Sequence, residues 1–314
     1  MAEPVGEGAG GRGAVVTYAP ESAVALDAVE ATVWRVADAD LVDLAARVCA
    51  SVHGTVPLAR PADLGPGPWA GRDPSEWRAF GDLTDAQRTA LAFAEQFSAD
   101  VSAIGDDQRS ALQRALGDDA MVYAQVVYVA DVVPRTRSAL DRLFGASTPA
   151  VTVPVGADVT LWGGIEEIIR VVPGLLGLDP VTTEVVRLRG ARQHQCRICQ
   201  SLRSRSAMVA GADDDTFAAV DHYPTSDLSD AHKAALAFTD AFIWTPGHLG
   251  DEIVEGLRAR FSPAQQVELV LDIARNATNK AAVALAADGA HVTEGYEIYD
   301  VAADGSIAYG LSRP

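Results

Sequence analysis

A long internal duplication is the feature that most constrains the fold of this chain of 314 residues. The segment LTDAQRTALAFAEQF at 83–97 returns as LSDAHKAALAFTDAF at 228–242, with eight of fifteen positions identical and an offset of 145 residues. The same offset continues without a gap, so that Arg135 matches Lys280. Self-similarity of this kind predicts that the chain contains two copies of one helical unit.

Upstream of these segments the two copies align with a slightly different offset. An offset of 144 places residues 40–48 against residues 184–192, which implies a one-residue insertion or deletion between the two regions. In this register Val52 and Thr55 stand where the second copy carries a C-x-x-C pair. We therefore expect the first copy to keep the fold and to form structure or a pocket wall.

Composition favours an all-α fold, because aromatic residues make up only 6% of a chain that is 48% hydrophobic. Such a composition suits close-packed helices better than strands, which favour aromatic and β-branched residues. The run GYEIYDVAADGSIAYGL near the end of the chain predicts a short β-hairpin. We predict four segments: a flexible N-terminal tail at 1–21, repeats at 22–150 and 151–290, and a C-terminal extension at 291–314.

The charge of the chain excludes several partners. Its formal net charge is −18, so its field repels nucleic acids and anionic membrane surfaces. The first twenty residues lack a basic segment followed by an apolar run, and no window of eighteen residues is apolar throughout. These patterns predict a cytoplasmic protein that binds neither nucleic acid nor membrane.

Two of the three cysteines, Cys196 and Cys199, form the C-x-x-C pair of the second copy. Their spacing brings two sulfurs within reach of a disulfide, and neighbouring cations favour thiolates. On a continuous helix, Arg192 and Arg203 would share one stripe with both cysteines. A break just before Cys196 would instead place the thiols at a helix N-terminus, where the dipole also favours thiolate. Buried, unreactive cysteines or a zinc site are the alternatives, although zinc usually needs four ligands and no second pair is visible. Cys49 has no obvious partner.

The chain resembles the AhpD-like alkylhydroperoxidase branch of the carboxymuconolactone decarboxylase superfamily over most of residues 25–290. The resemblance is carried by the C-x-x-C pair, by Glu184 twelve positions before it, and by the helix SDAHKAALAFTDAF after it. It departs from that branch at Arg203, where a histidine is usual, and at Ile198 between the cysteines. An arginine cannot accept a proton at neutral pH but can hold an anion, and His194 is a substitute for the missing histidine.

This resemblance implies a dithiol oxidoreductase in which Cys199 attacks a small peroxide or disulfide and Cys196 resolves the intermediate. Glu184 would accept the thiol proton, while Arg192, Arg203 and His194 would bind substrate. An external thiol would reduce the disulfide, and neither a cofactor nor a metal is implied. Glu184 could instead pair with Arg187 on a solvated helix face.

Two other functions remain open from sequence. One is a cofactor-independent decarboxylase or isomerase of lactone-like acids, in which the arginines bind carboxylate. The other is a non-catalytic assembly protein. We also predict a homotrimer, because single-repeat relatives in the resembled superfamily form hexamers, and because the apolar faces Val122–Val133 and Val267–Thr278 offer surface for closed symmetry.

Overall fold

The computed structural model describes residues 10–147 and 160–314, and their regular secondary structure is helical apart from one small sheet. The helices of the first half are α1 (Gly10–Tyr18), α2 (Pro20–Thr32), α3 (Ala39–His53), α4 (Asp85–Asp100), α5 (Asp106–Leu116) and α6 (Ala120–Phe144). Those of the second half are α7 (Leu161–Val171), α8 (Pro180–Gln193), α9 (Arg197–Gln200), α10 (Arg205–Val209), α11 (Asp214–Ala219), α12 (Asp230–Trp244), α13 (Asp251–Arg258), α14 (Pro263–Asn276) and α15 (Asn279–Ala284). The strands are β1 (Leu202–Ser204), β2 (Glu297–Val301) and β3 (Ile307–Ala308).

Short 3-10 turns complete the chain between these elements. They lie at Val33–Arg35, Ala62–Leu64, Pro74–Ala79, Val101–Ala103, Gly117–Asp119, Val172–Gly174, Val220–Thr225 and Pro246–His248. The all-α prediction with a C-terminal extension is confirmed. Within the two described ranges, no helix combines the length and apolarity needed to cross a membrane.

The duplication is visible as equivalent helices with equivalent caps. Helices α4 and α12 begin 145 residues apart, and so do α5 and α13. The hydroxyl of Thr84 caps α4 by accepting the backbone N–H of Gln87, and the matching Ser229 caps α12 by accepting that of His232. The predicted boundary between the repeats, at residues 150 and 151, lies outside the described residues.

Helices α3 and α8 match in a register that differs from the predicted one. Gly54, directly after α3, and Gln195, two residues after the end of α8, both adopt a left-handed backbone, with φ values of 67° and 52°. The next residues, Thr55 and Cys196, each donate a backbone N–H to the carbonyl oxygen five positions back. The offset here is therefore 141 and not 144, so Thr55 and Leu58 take the places of the cysteines. The conclusion that the first copy lacks the thiols is unchanged.

The N-terminal tail is shorter than predicted. Residues 10–18, which we expected in a flexible tail through residue 21, form helix α1 and pack against α6. A Cβ atom on Gly11 would lie 2.6 Å from the backbone of Leu140, so only glycine permits this approach. Ala14 and Val15 of α1 are buried. The glycine content that suggested flexibility instead allows close packing.

The core joins both copies. Phe93 and Phe97 of α4 and their counterparts Phe238 and Phe242 of α12 are fully buried. Helices α6 and α14 pack together, and the hydroxyl of Tyr128 donates to the carbonyl oxygen of Ala274 at 3.1 Å. Their apolar faces are thus covered within one chain, which removes one of our two reasons for a trimer.

The C-terminal extension returns to the C-x-x-C region. Strand β2 pairs in parallel with β1, and β3 pairs with β2 as the predicted antiparallel hairpin. Strand β1 lies three residues after Cys199, so the hairpin docks directly beside the cysteine pair. This docking places the C-terminal extension against the cysteine region of the second copy.

Candidate functional site

The helix that precedes the cysteines ends before it reaches them. Helix α8 stops at Gln193, and the left-handed Gln195 turns the chain so that Cys196 becomes the N-cap of the short helix α9. The structure therefore has the break just before Cys196, and not the continuous helical stripe of arginines and cysteines. Glycine usually occupies a left-handed position of this kind. Because the residue here is a glutamine, the sequence gives no local signal for the turn.

Cys196 and Cys199 are joined as a disulfide. The backbone N–H of Cys199 points at the Cys196 sulfur, with a distance of 3.3 Å between nitrogen and Sγ. Cys196 is 1% exposed and Cys199 is 8% exposed. Both residues line a cavity of about 190 Å³. The buried Cys49 does not line this cavity, and burial raises the pKa of its thiol far above the ordinary value.

The cavity has a largely apolar wall built from distant parts of the chain. Aliphatic side chains come from α7, α8, α12 and α14, and the C-terminal hairpin closes one side with Tyr299 and Tyr309. The polar residues of the lining include three cations, Arg187, Arg275 and Lys280. A space of this size holds roughly six water molecules. The two cysteines and these cations therefore border one shared space.

Glu184 is buried beside this site in a pair with Arg187. Its two carboxylate oxygens accept bonds from Arg187 at 2.7 and 2.8 Å. They also accept the backbone N–H of Ser204 at 3.0 Å and the hydroxyl of Tyr299 at 3.2 Å. The pairing alternative is therefore seen, but in the interior and not on a solvated face. Across the described ranges, no hydrogen bond joins Glu184 to either sulfur.

Arg187 ties this carboxylate to the cysteine segment. Its guanidinium donates to the carbonyl oxygens of Cys199 at 2.8 Å and Leu202 at 2.9 Å. Burial opposes its charge, but the neighbouring Glu184 outweighs this cost and raises the pKa of Arg187 further above its ordinary value. The pair thus fixes both ends of the turn that carries Cys199.

The two arginines predicted to bind substrate lie away from the cavity. Arg192 pairs with Asp221 at 2.9 Å. The guanidinium of Arg203 lies 5.4 Å from the ring centre of Phe217 and 5.0 Å from that of Tyr296. Burial and the nearby Arg187 lower the pKa of Arg203. Because α8 ends before the cysteines, these two side chains pack against other parts of the protein and do not line the cavity.

His194 is the predicted binding residue that the structure does bring to the cysteines. It is half-buried and lines the same cavity. Burial lowers the pKa of its imidazole well below the ordinary value, and the cations Lys280 and Arg135 lower it further. The ring is therefore neutral at pH 7, and one of its nitrogens can accept a hydrogen bond.

Sequence reasoning missed Lys280, Arg275 and Tyr299, which come from α15, α14 and β2. Lys280 carried one usable signal, because it is one of only two lysines among 25 basic residues. Within the described residues, no three His, Cys, Asp or Glu side chains are grouped to hold a metal ion.

Comparison with known proteins finds relatives in Mycobacterium tuberculosis. "Uncharacterized protein MT2376" of strain CDC 1551 / Oshkosh and "Uncharacterized protein Rv2313c" of strain ATCC 25618 / H37Rv are each 43% identical to this chain over 234 residues. The match covers 72% of this chain and 81% of each relative. No family model matches the chain, and no solved structure matches it, so the resemblance to AhpD-like proteins stays a prediction. The chain belongs to the family of these two mycobacterial proteins.

Proposed function

We propose that the protein is a dithiol oxidoreductase that cycles Cys196 and Cys199 between dithiol and disulfide. The observation that carries this proposal is a disulfide set in the wall of a small, mostly apolar cavity, with His194 and three cations around it. Buried structural cysteines have no need of such a space. The substrate in this proposal is a small peroxide or disulfide.

A hydroperoxide would be reduced in two steps. The Cys199 thiol loses its proton to water in the cavity, and the thiolate attacks the distal peroxide oxygen. The O–O bond breaks, the leaving oxygen takes a proton and departs as alcohol, and Cys199 becomes a sulfenic acid. The Cys196 thiol then displaces water from it and closes the disulfide. Cys199 is the attacking residue here because it is the more exposed of the two.

An external dithiol completes the cycle by exchange, becoming oxidised as it returns two thiols to the protein. We propose a cytoplasmic setting, because a reducing compartment supplies such donors. In this scheme Glu184 holds Arg187 and thereby the Cys199 turn, because four donors already occupy its oxygens. Glu184 is then a scaffold residue, and not the proton acceptor that the resemblance implied.

Stopped-flow oxidation of the reduced protein with a panel of peroxides and small disulfides tests the proposal. We expect loss of two thiols for each substrate consumed, and no turnover in Cys199→Ser. Cys49→Ala is the matched control and should keep the wild-type rate, because Cys49 lies outside the cavity. If no compound in the panel oxidises the wild-type dithiol, or if Cys199→Ser turns over normally, the proposal fails.

The decarboxylase or isomerase alternative is left with Arg275 and Arg187 as carboxylate ligands, since the two predicted arginines do not reach the cavity. Arg187 already has a carboxylate partner in Glu184. These contacts favour the dithiol reading.

A further inference from the structure

Lys280 is an unusual component of the cavity. The chain uses arginine for all but two of its 25 basic residues, yet a lysine that is only 4% exposed lines the space around the disulfide. Its ammonium nitrogen lies 2.6 Å from an oxygen of Asp131 and 4.6 Å from the ring centre of Phe97. No step of the proposed cycle has yet used this charge.

The charges around Lys280 leave a surplus of positive charge. Asp131 also accepts from Arg135 at 2.7 Å, so one carboxylate faces two cations. Burial opposes ionisation of Asp131, but Arg135 and Lys280 outweigh it and hold its pKa well below the ordinary value. Burial and Arg135 lower the pKa of His53, and burial raises that of Cys49, so both stay neutral. The cluster therefore carries one net positive charge.

In the first copy, the residue equivalent to Lys280 is Arg135, and hydrogen bonds occupy its guanidinium. The guanidinium of Arg135 donates to Asp131 and to the carbonyl oxygens of Ser98 and Ile243. It also lies 2.6 Å from a ring nitrogen of His53. His53 corresponds to His194. In the second copy the equivalent histidine and lysine both line the cavity, and among the described residues Nζ donates one hydrogen bond, to Asp131, although it carries three protons.

We propose that Lys280 is the electrostatic partner of the dithiol, so that its ammonium stabilises the Cys199 thiolate across the shared cavity. This inference rests on the proposed function. A positive charge close to a thiol lowers its pKa and enlarges the nucleophilic fraction at neutral pH. The lysine would thus supply the charge that we first expected from Arg192 and Arg203.

The remaining charged groups around the cavity do not replace this role. Arg187 is neutralised by Glu184 at 2.7 Å, and His194 is uncharged at pH 7. Burial lowers the pKa of Arg275 but leaves it protonated at pH 7; Asp272 opposes its charge, and its Nε donates to the carbonyl oxygen of Ile169. Tyr299 is neutral, because burial raises its pKa. Burial lowers the pKa of Lys280 to about 8, which leaves it mainly protonated at pH 7.

Alkylation of the reduced protein by iodoacetamide across a pH series tests the inference. Trypsin cuts after Arg197, so Cys196 and Cys199 fall on separate peptides and are read independently. We expect Lys280→Met to raise the apparent pKa of Cys199 by about one pH unit. Lys280→Arg keeps the charge and should restore the wild-type curve, and Lys233→Met should not change it. Superimposed curves for wild type and Lys280→Met would overturn the inference.

A second measurement needs no mutation of Lys280. Protein labelled with ¹³C at the lysine ε carbon gives two signals, and Lys233→Met assigns them. Because coupling is reciprocal, the pKa of Lys280 must be higher in the dithiol state than in the disulfide state if the thiolate forms beside it. Equal Lys280 midpoints in both states would overturn the inference. Neither measurement needs turnover, so a protein that oxidises with no substrate would refute only the proposed function.

Discussion

The guanidinium of Arg187 donates a hydrogen bond of 2.8 Å to the carbonyl oxygen of Cys199, twelve residues later in the chain. The same guanidinium is held by Glu184 three residues earlier. A buried ion pair on α8 thus sets the position of the turn that carries the disulfide. This relationship makes the pair part of the scaffold of the site.

Replacing Glu184 with Gln should therefore destabilise the protein. The substitution leaves the buried Arg187 charge without its partner, which costs about 3 kcal/mol of unfolding free energy. The matched control is Glu167→Gln, because Glu167 forms the same pair with Arg170 at the same spacing on an exposed face. There we expect a loss below about 1 kcal/mol by urea denaturation. Equal losses in both variants would refute the scaffold role.

Asp272 makes stability depend on pH. Burial, reinforced by Glu268, raises its pKa from an ordinary 3.8 to about 7. Between these values the folded state binds more protons than the unfolded state, so unfolding free energy falls as pH rises. Asp272→Asn should remove this loss and be more stable than wild type at pH 8, by at most about 4 kcal/mol. The difference should vanish near pH 4, whereas a difference that does not change with pH would contradict the assignment.

Tyr299 should control access to the disulfide. Its ring closes one side of the cavity and its hydroxyl donates to Glu184 at 3.2 Å. Tyr299→Phe keeps the wall and should cost about 1 kcal/mol for the lost hydrogen bond. Tyr299→Ala opens the wall and should cost roughly 3–5 kcal/mol while speeding reduction of the disulfide by a bulky phosphine. If Tyr299→Ala is reduced no faster than Tyr299→Phe, the hairpin does not shield the site.

The trimer remains a prediction based on the resemblance alone, because α6 and α14 cover each other's apolar faces within one chain. Sedimentation equilibrium at micromolar concentration should give three times the chain mass of 32.9 kDa. A species of one chain mass with an active dithiol would refute both the trimer and any pocket shared between chains.

The duplication predicted two copies of one helical unit. Helix caps are short-range signals, and they mark where individual helices begin. Asp179 with Pro180, and Ser262 with Gln265, start α8 and α14 as their sequence patterns indicate. The spacing of Cys196 and Cys199 likewise predicted that their sulfurs lie within reach of a disulfide.

The rest of the site depends on a turn and on distant elements. Gln195 adopts a left-handed backbone although it is not glycine, so the local sequence did not decide between a continuous helix and a break before Cys196. Lys280 and Tyr299 reach the cavity from 81 and 100 residues beyond Cys199, through packing that local periodicity does not encode.

The most direct test of the redox pair is to map the cysteine linkages by tryptic mass spectrometry after mild oxidation and after reduction. Cys196 lies on the peptide 193–197 and Cys199 on the peptide 198–203. The account predicts that the two peptides are joined in the oxidised protein and separately alkylated after reduction, with Cys49 unlinked in both states. Two free thiols at Cys196 and Cys199 after oxidation, or a linkage through Cys49, would contradict it.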